Sequence, residues 1–163
     1  MDTSRPGHAR RLVLAALLFA VMALASCLFP RAAQAREYSI DAVNIDLTVN
    51  TDGSISIVED RTFNFDGSFN GVYWDIATAA PAQHSTGADP AITSLSVEDL
   101  TRGGGPFAQS DAGTPGTYEV TDYSSYTDVK IYTPHEDESA TVRISYTMSN
   151  VVNAWADTGE LYW

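Results

Sequence analysis

Nine residues near the end of the chain limit its fold most: Ala140, Val142, Ile144, Tyr146 and Met148 alternate with Thr141, Arg143, Ser145 and Thr147. Successive side chains of a strand point to opposite faces, so this pattern describes a strand buried on one face and wetted on the other. The same period recurs where Val43, Ile45, Leu47 and Val49 alternate with Asn44, Asp46, Thr48 and Asn50. Thr51-Asp52-Gly53 then supplies a turn, because glycine tolerates positive φ and aspartate can hydrogen-bond its own backbone. Ile55 and Ile57 open a second strand that runs to Phe63 and Phe65, so residues 41–65 read as a hairpin.

Glu59 and Arg61 interrupt the apolar phase of that second strand. A bulge near Val58 would move them to the other face; the alternative is that the two charges pair at the sheet margin. The bulge is the expectation. Asp66-Gly67-Ser68 reads as a turn, and Gly71-Val72-Tyr73-Trp74-Asp75-Ile76 as a short aromatic strand. Residues 77–91 read as an irregular loop, 92–100 as a strand, and the Gly- and Pro-rich 101–116 as a mobile loop. Tyr118 with Val120, and Val129 with Ile131, mark two further strands, the second separated from the 140–148 strand by a hairpin loop at Pro134–Ser139. About seven short strands joined by Gly and Pro loops predict an all-β, antiparallel β-sandwich, immunoglobulin-like in general architecture.

The first 35 residues are different in kind. A basic start (Arg5, His8, Arg10, Arg11) precedes an apolar stretch from Leu12 to Phe29, then Pro30 and the small-residue end Ala33-Gln34-Ala35. This is the layout of a secretory signal helix, with cleavage leaving Arg36 first and a domain of residues 36–163. Leu24-Ala25-Ser26-Cys27 also has the form of a lipoprotein signal that would lipidate Cys27, and an uncleaved anchor is the third outcome. In each case the basic flank stays inside and the domain lies outside the cytoplasmic membrane. The chain ends on Glu160-Leu161-Tyr162-Trp163, and such an apolar terminus predicts that the protein continues.

Past residue 35 there are five basic and twenty acidic residues, a formal charge of −15. Binding to nucleic acid or anionic headgroups rests on Lys and Arg neutralising phosphate, so nucleic acid is excluded as a partner class. The single cysteine, Cys27, lies in the N-terminal segment, leaving the folded part without disulfides.

The residues offer little chemistry. Glu59, Asp60, Asp66 and Asp75 lie near Phe69, Tyr73 and Trp74, and paired carboxylates beside aromatics are what a carbohydrate site needs. The plainer reading places Tyr73 and Trp74 in the core or its rim. Tyr73, Trp74 and Asp75 are the candidate interaction surface. Asp52, Asp66 and Glu136-Asp137-Glu138 could serve calcium, but their spacing fits no EF-hand and Asp-Gly pairs form turns. His8, His84 and His135 share no zinc spacing, no Gly-x-Ser-x-Gly elbow occurs, and Gly103-Gly104-Gly105 lacks the lysine of a phosphate loop. No catalytic residue, metal or cofactor is expected.

Three segments together carry a family resemblance: Tyr38-Ser39-Ile40-Asp41 with Asp52-Gly53-Ser54 and Glu59; Phe69-Asn70-Gly71-Val72-Tyr73-Trp74-Asp75-Ile76; and Ile144-Ser145-Tyr146 with Trp155, Asp157 and Glu160-Leu161-Tyr162-Trp163. They resemble the N-terminal extracellular region of the predicted bacterial membrane proteins grouped as domain of unknown function 2207. The resemblance covers nearly all of residues 37–163. It departs at Trp74, where the pattern has a basic residue, and at Ala77, where it has proline. It implies a signal peptide, a β-rich outer domain and downstream transmembrane helices, with no established activity. The expected function is therefore that of a non-catalytic extracytoplasmic domain. Its partners would be the membrane, through the signal, a lipid anchor or downstream helices, and an envelope or protein molecule. A carbohydrate module using Tyr73, Trp74 and nearby carboxylates is the alternative.

Overall fold

Two four-stranded sheets contribute buried residues to one hydrophobic core. The computed structural model describes Ala16, Leu17, Phe19 and residues 36–79 and 88–163. The strands are β1 (Glu37–Val49), β2 (Ile55–Asp66), β3 (Ser68–Phe69), β4 (Val72–Ala77), β5 (Ala91–Asp99) and β6 (Ala108–Gln109). They continue with β7 (Thr117–Asp122), β8 (Tyr126–Tyr132), β9 (His135–Glu136), β10 (Ser139–Ser149), β11 (Val152–Ala154) and β12 (Gly159–Leu161). The first sheet has the order β1-β2-β10-β5 and is antiparallel throughout. The second runs β4-β8-β7-β6, antiparallel except for the short parallel pair β6–β7. Small ladders join β3 to β9 and β11 to β12. Among the described residues no helix is long and apolar enough to cross a membrane. The signal features at Arg5, Arg10, Arg11, Cys27, Ala33 and Ala35 lie outside the described residues.

Period-two patterning becomes two-faced burial. On β10, Ala140, Val142, Ile144, Tyr146 and Met148 are all buried, while the intervening residues are only partly so. Ile55, Ile57, Phe63 and Phe65 of β2 join them, and β4 and β8 supply Val72, Trp74, Ile76, Val129 and Ile131 from the opposite sheet. Each fully buried large aliphatic or aromatic side chain is worth ~1.5–3 kcal/mol, which is how a domain without disulfides holds together.

Two expectations are corrected. The first concerns the bulge near Val58: β2 pairs without a break through residues 55–64 with both neighbours. Glu59 and Arg61 stay in the inward phase and pair with each other, Arg61 Nε and an NH2 group lying 2.8 and 2.7 Å from Glu59 Oε1. The register shift falls instead in β1, between Ile40 and Ala42. It brings Tyr38 and Ile40 opposite Phe65 and Phe63, and Val43, Ile45, Leu47 and Val49 opposite Arg61, Glu59, Ile57 and Ile55. The second concerns Pro134–Ser139, which is no hairpin loop. β8 and β10 belong to different sheets, and the link between them crosses over, pairing His135 and Glu136 with Phe69 and Ser68 on the way.

That crossing is fixed by a buried polar cluster. Asp99, at the end of β5, accepts through Oδ2 from Thr133 Oγ1 (2.5 Å) and faces His135 Nε2 (2.9 Å). Its Oδ1 accepts the backbone N–H groups of Thr101 and Arg102. His135 Nδ1 lies 2.8 Å from Glu138 Oε1, and the imidazole stacks on Phe65 at an interplanar angle of 5°.

Candidate functional site: a cleft between the outer strands

The two sheets are offset. Trp74 of β4 lies over β2: its ring sits 3.9 Å from the Arg61 guanidinium carbon and meets the Phe63 ring edge-on. β4 is the outer strand of its sheet and β1 the outer strand of the other. The inward face of β1 is therefore left largely uncovered, with Val43 48 % and Ile45 44 % exposed. At the other edge the layers are tied together, since Phe107 N–H reaches Val97 O and Tyr118 Oη donates to Leu95 O. Among the described residues of 36–163, this edge of the two sheets is closed and the β1–β4 edge is open.

On the open side lies a cleft of about 490 Å³. Ile45, Ile76, Met148 and Val151 give it apolar walls, and Glu59 and Arg61 contribute the charges of its inner surface. Tyr146 and Trp163 line it together, Trp163 Nε1 donating to Tyr146 Oη at 3.1 Å. Burial raises the Tyr146 phenol above its ordinary value, partly offset by the bond from Trp163, so it stays protonated at neutral pH. Glu59 and Arg61 satisfy one another, which keeps both inside without a stranded charge.

Strand pleating separates the three residues singled out from the sequence. Trp74 points inward and is 1 % exposed, while Tyr73 stands on the outer face of β4 at 64 %. Asp75 is exposed opposite Asp128 of β8 and, at the edge of β4, also lines the cleft. Lys130 Nζ lies 5.6 Å from the Tyr73 ring and 5.1 Å from that of Tyr132. Asp60 is turned away from Glu59 and holds Arg143 through two bonds of 2.7 and 2.8 Å. Asp52 accepts the backbone N–H and the hydroxyl of Ser54, a turn role. Asp137 caps Gly67 N–H, and Glu138 serves His135 and Arg102. Among the described residues no group of three or more His, Cys, Asp or Glu is arranged to hold a metal. His8 and His84 lie outside the described residues.

The Asp75–Asp128 pair has a testable consequence. Burial, together with the neighbouring Asp75, raises the Asp128 carboxyl above its ordinary value. An acid raised by folding adds stability at pH below its unfolded value and loses that contribution as pH climbs through its folded value. At neutral pH the pair is therefore a cost. Asp128→Asn is expected to stabilise the chain by about 0.2–1 kcal/mol at pH 7, with the advantage fading at pH 3, as read by urea unfolding at both values.

The inner site was hidden by the bulge expectation, although its signal is present: residues 55, 57, 59, 61, 63 and 65 keep a single phase. A family model described as the N-terminal domain of a predicted membrane protein, DUF2207, matches residues 39–163. No curated protein and no solved structure matches the chain. With the match running through β1, the cleft and Trp163, the chain belongs to this family of predicted membrane proteins, and residues 39–163 are its N-terminal domain.

Proposed function

We propose that residues 36–163 form a non-catalytic, extracytoplasmic β-sandwich of a membrane-anchored protein, which recognises an envelope or partner molecule through the cleft between β1 and β4. The observation that carries this reading is the exposed apolar inner face of β1 beside a cleft of about 490 Å³. A soluble domain gains by covering such a face, so leaving it open marks a surface kept for a partner. The mutual neutralisation of Glu59 and Arg61 supports a binding role over a catalytic one. The basic flank at Arg10 and Arg11 before an apolar stretch, together with the family's description as a membrane protein, supports the outward orientation.

The test is an uncharged solvatochromic dye such as Nile red titrated into the chain. Fluorescence should rise and saturate, and Ile45→Asp should reduce the affinity by about tenfold, since a carboxylate would then line the apolar wall. A dye response indifferent to Ile45→Asp would refute the cleft as the recognition surface.

A second reading is favoured by the outer face of β4 and β8. Tyr73 is well exposed there, Lys130 and Tyr132 stand beside it, and Asp75 faces Asp128. Aromatics flanked by carboxylates suit a neutral glycan. On this reading, Tyr73→Ala and not Ile45→Asp would abolish retention on a polysaccharide gel.

A further inference from the structure

The open side carries a backbone signal as well as an apolar one. Among the described residues β4 pairs with β8 alone, in unbroken antiparallel register from Val72↔Ile131 to Ala77↔Tyr126. Thr78 N–H donates to Ser125 O, which places the even-numbered residues on the β8 side. In an antiparallel strand the hydrogen-bonding direction alternates residue by residue, so the N–H groups of Tyr73, Asp75 and Ala77 turn toward the free edge. Among the described residues no backbone hydrogen bond meets them there.

We propose, resting on the cleft reading above, that the occupant is an extended cationic peptide segment of a partner protein. It would add as a strand to the free edge of β4, with apolar residues inward and basic residues outward at alternate positions. The geometry sets each part. A strand beside β4 would lie about 4.8 Å from it and about 10 Å above the other sheet, over the uncovered face of β1. Its inward side chains would meet Ile45 and the other apolar walls of the cleft. Its outward side chains would fall beside Tyr73 and Asp75, and Asp75 already faces the like-charged Asp128. A lysine or arginine beside Asp75 converts an unfavourable cross-strand neighbourhood into a favourable one. The formal charge of −15 past residue 35 draws the same kind of partner and repels a second copy. Addition at the free edge of β1 would lengthen that sheet but leave its inward face bare, so the β4 edge is the productive one.

The experiment uses the full chain in detergent and a fluorescently labelled peptide of about eight residues alternating valine and lysine, long enough to span the strand. Binding should be saturable, and hydrogen exchange of the Tyr73, Asp75 and Ala77 amides should slow on addition. Asp75→Lys, an exposed change that leaves the fold alone, should weaken this peptide by about tenfold and give a valine–glutamate peptide measurable affinity. The inference is overturned by absence of binding, by binding indifferent to Asp75→Lys, or by binding without slowed exchange at the three amides. If Nile red still responds to Ile45→Asp in those cases, the cleft reading stands and only strand addition is lost. Amides already slow without peptide that quicken on dilution would mean a second copy covers the edge, which also overturns it.

Discussion

Asp99→Ala is expected to cost about 3–5 kcal/mol of unfolding free energy, measured as a fall in the urea midpoint at unchanged slope. Asp99 is 1 % exposed, and its carboxylate is met by Thr133 and His135 at one oxygen and by two backbone N–H groups at the other. Alanine would leave Thr133 and His135 without their carboxylate partner in the interior, a heavier penalty than losing one exposed hydrogen bond. The pH dependence should change with it. Burial alone would push Asp99 up, but the bonds from Thr133 and the Arg102 and Thr101 amides, with the charge of His135, hold it below its ordinary value. Glu138 is likewise lowered, chiefly by its bond to His135. Acids depressed by folding contribute fully at pH above their unfolded values and lose that contribution as pH falls through the carboxylate range, below about pH 4. The parent chain should therefore lose stability on the acid side more steeply than Asp99→Ala. Equal acid slopes in the two proteins would remove Asp99 as the source.

Most strands were legible because burial on one face writes itself into the sequence at a period of two. The pattern from Ala140 to Met148 needed no correction, and neither did the turn at Asp52-Gly53, where Gly53 adopts φ 80°. The bulge went wrong for a physical reason. Charge inside a sheet looks like an error of phase unless its partners are known, and the partner that settles Arg61 inside is Trp74, a contact between the two sheets. The true shift was written in β1, where the apolar positions pass from even (Tyr38, Ile40) to odd (Val43, Ile45) across Asp41. The crossing at Thr133–Glu138 was illegible because its hydrogen bonds join residues some 35 positions apart, and a polar run with an acidic centre reads locally as a loop.

The candidate site was legible in its parts and not in its assembly. Tyr73-Trp74-Asp75 reads as one cluster in the sequence, yet adjacent residues of a strand cannot share a face. Trp74 became the platform under Arg61, and Tyr73 and Asp75 the outer border of the free edge. What creates the cleft is the offset between the sheets, with β4 over β2 and no described strand over the inward face of β1. An offset of that kind depends on where one outer strand ends sideways against another, and no single strand's pattern encodes it. The consequence for function is that recognition, on the reading proposed, belongs to the space beside β4 as much as to any side chain on it.

The position that fixes β4 against β8 is Gly71, and Gly71→Ala is expected to be the most damaging single-methyl change in the chain. A Cβ built there would stand 1.8 Å from the carbonyl oxygen of Ile131 and 2.9 Å from its carbonyl carbon. Both are backbone atoms of a strand buried through Val129 and Ile131, so neither can swing aside as a flexible side chain would. Relief requires β4 to move away from β8, pulling Val72, Trp74 and Ile76 out of the core together. Overpacking of an ordinary core site costs about 1–3 kcal/mol, and a backbone clash that displaces a strand should fall at or above the top of that range. The glycine thus has a steric role at the head of the Gly-Val-Tyr segment. Its effect should reach the cleft, because Trp74 carries Arg61 and Arg61 holds Glu59. Urea unfolding of Gly71→Ala should show the drop in stability, and Trp fluorescence below the transition should show Trp74 more exposed than in the parent. A variant that unfolds at the parent midpoint would mean that β8 yields at Ile131, and the rigid seating of β4 would have to be given up.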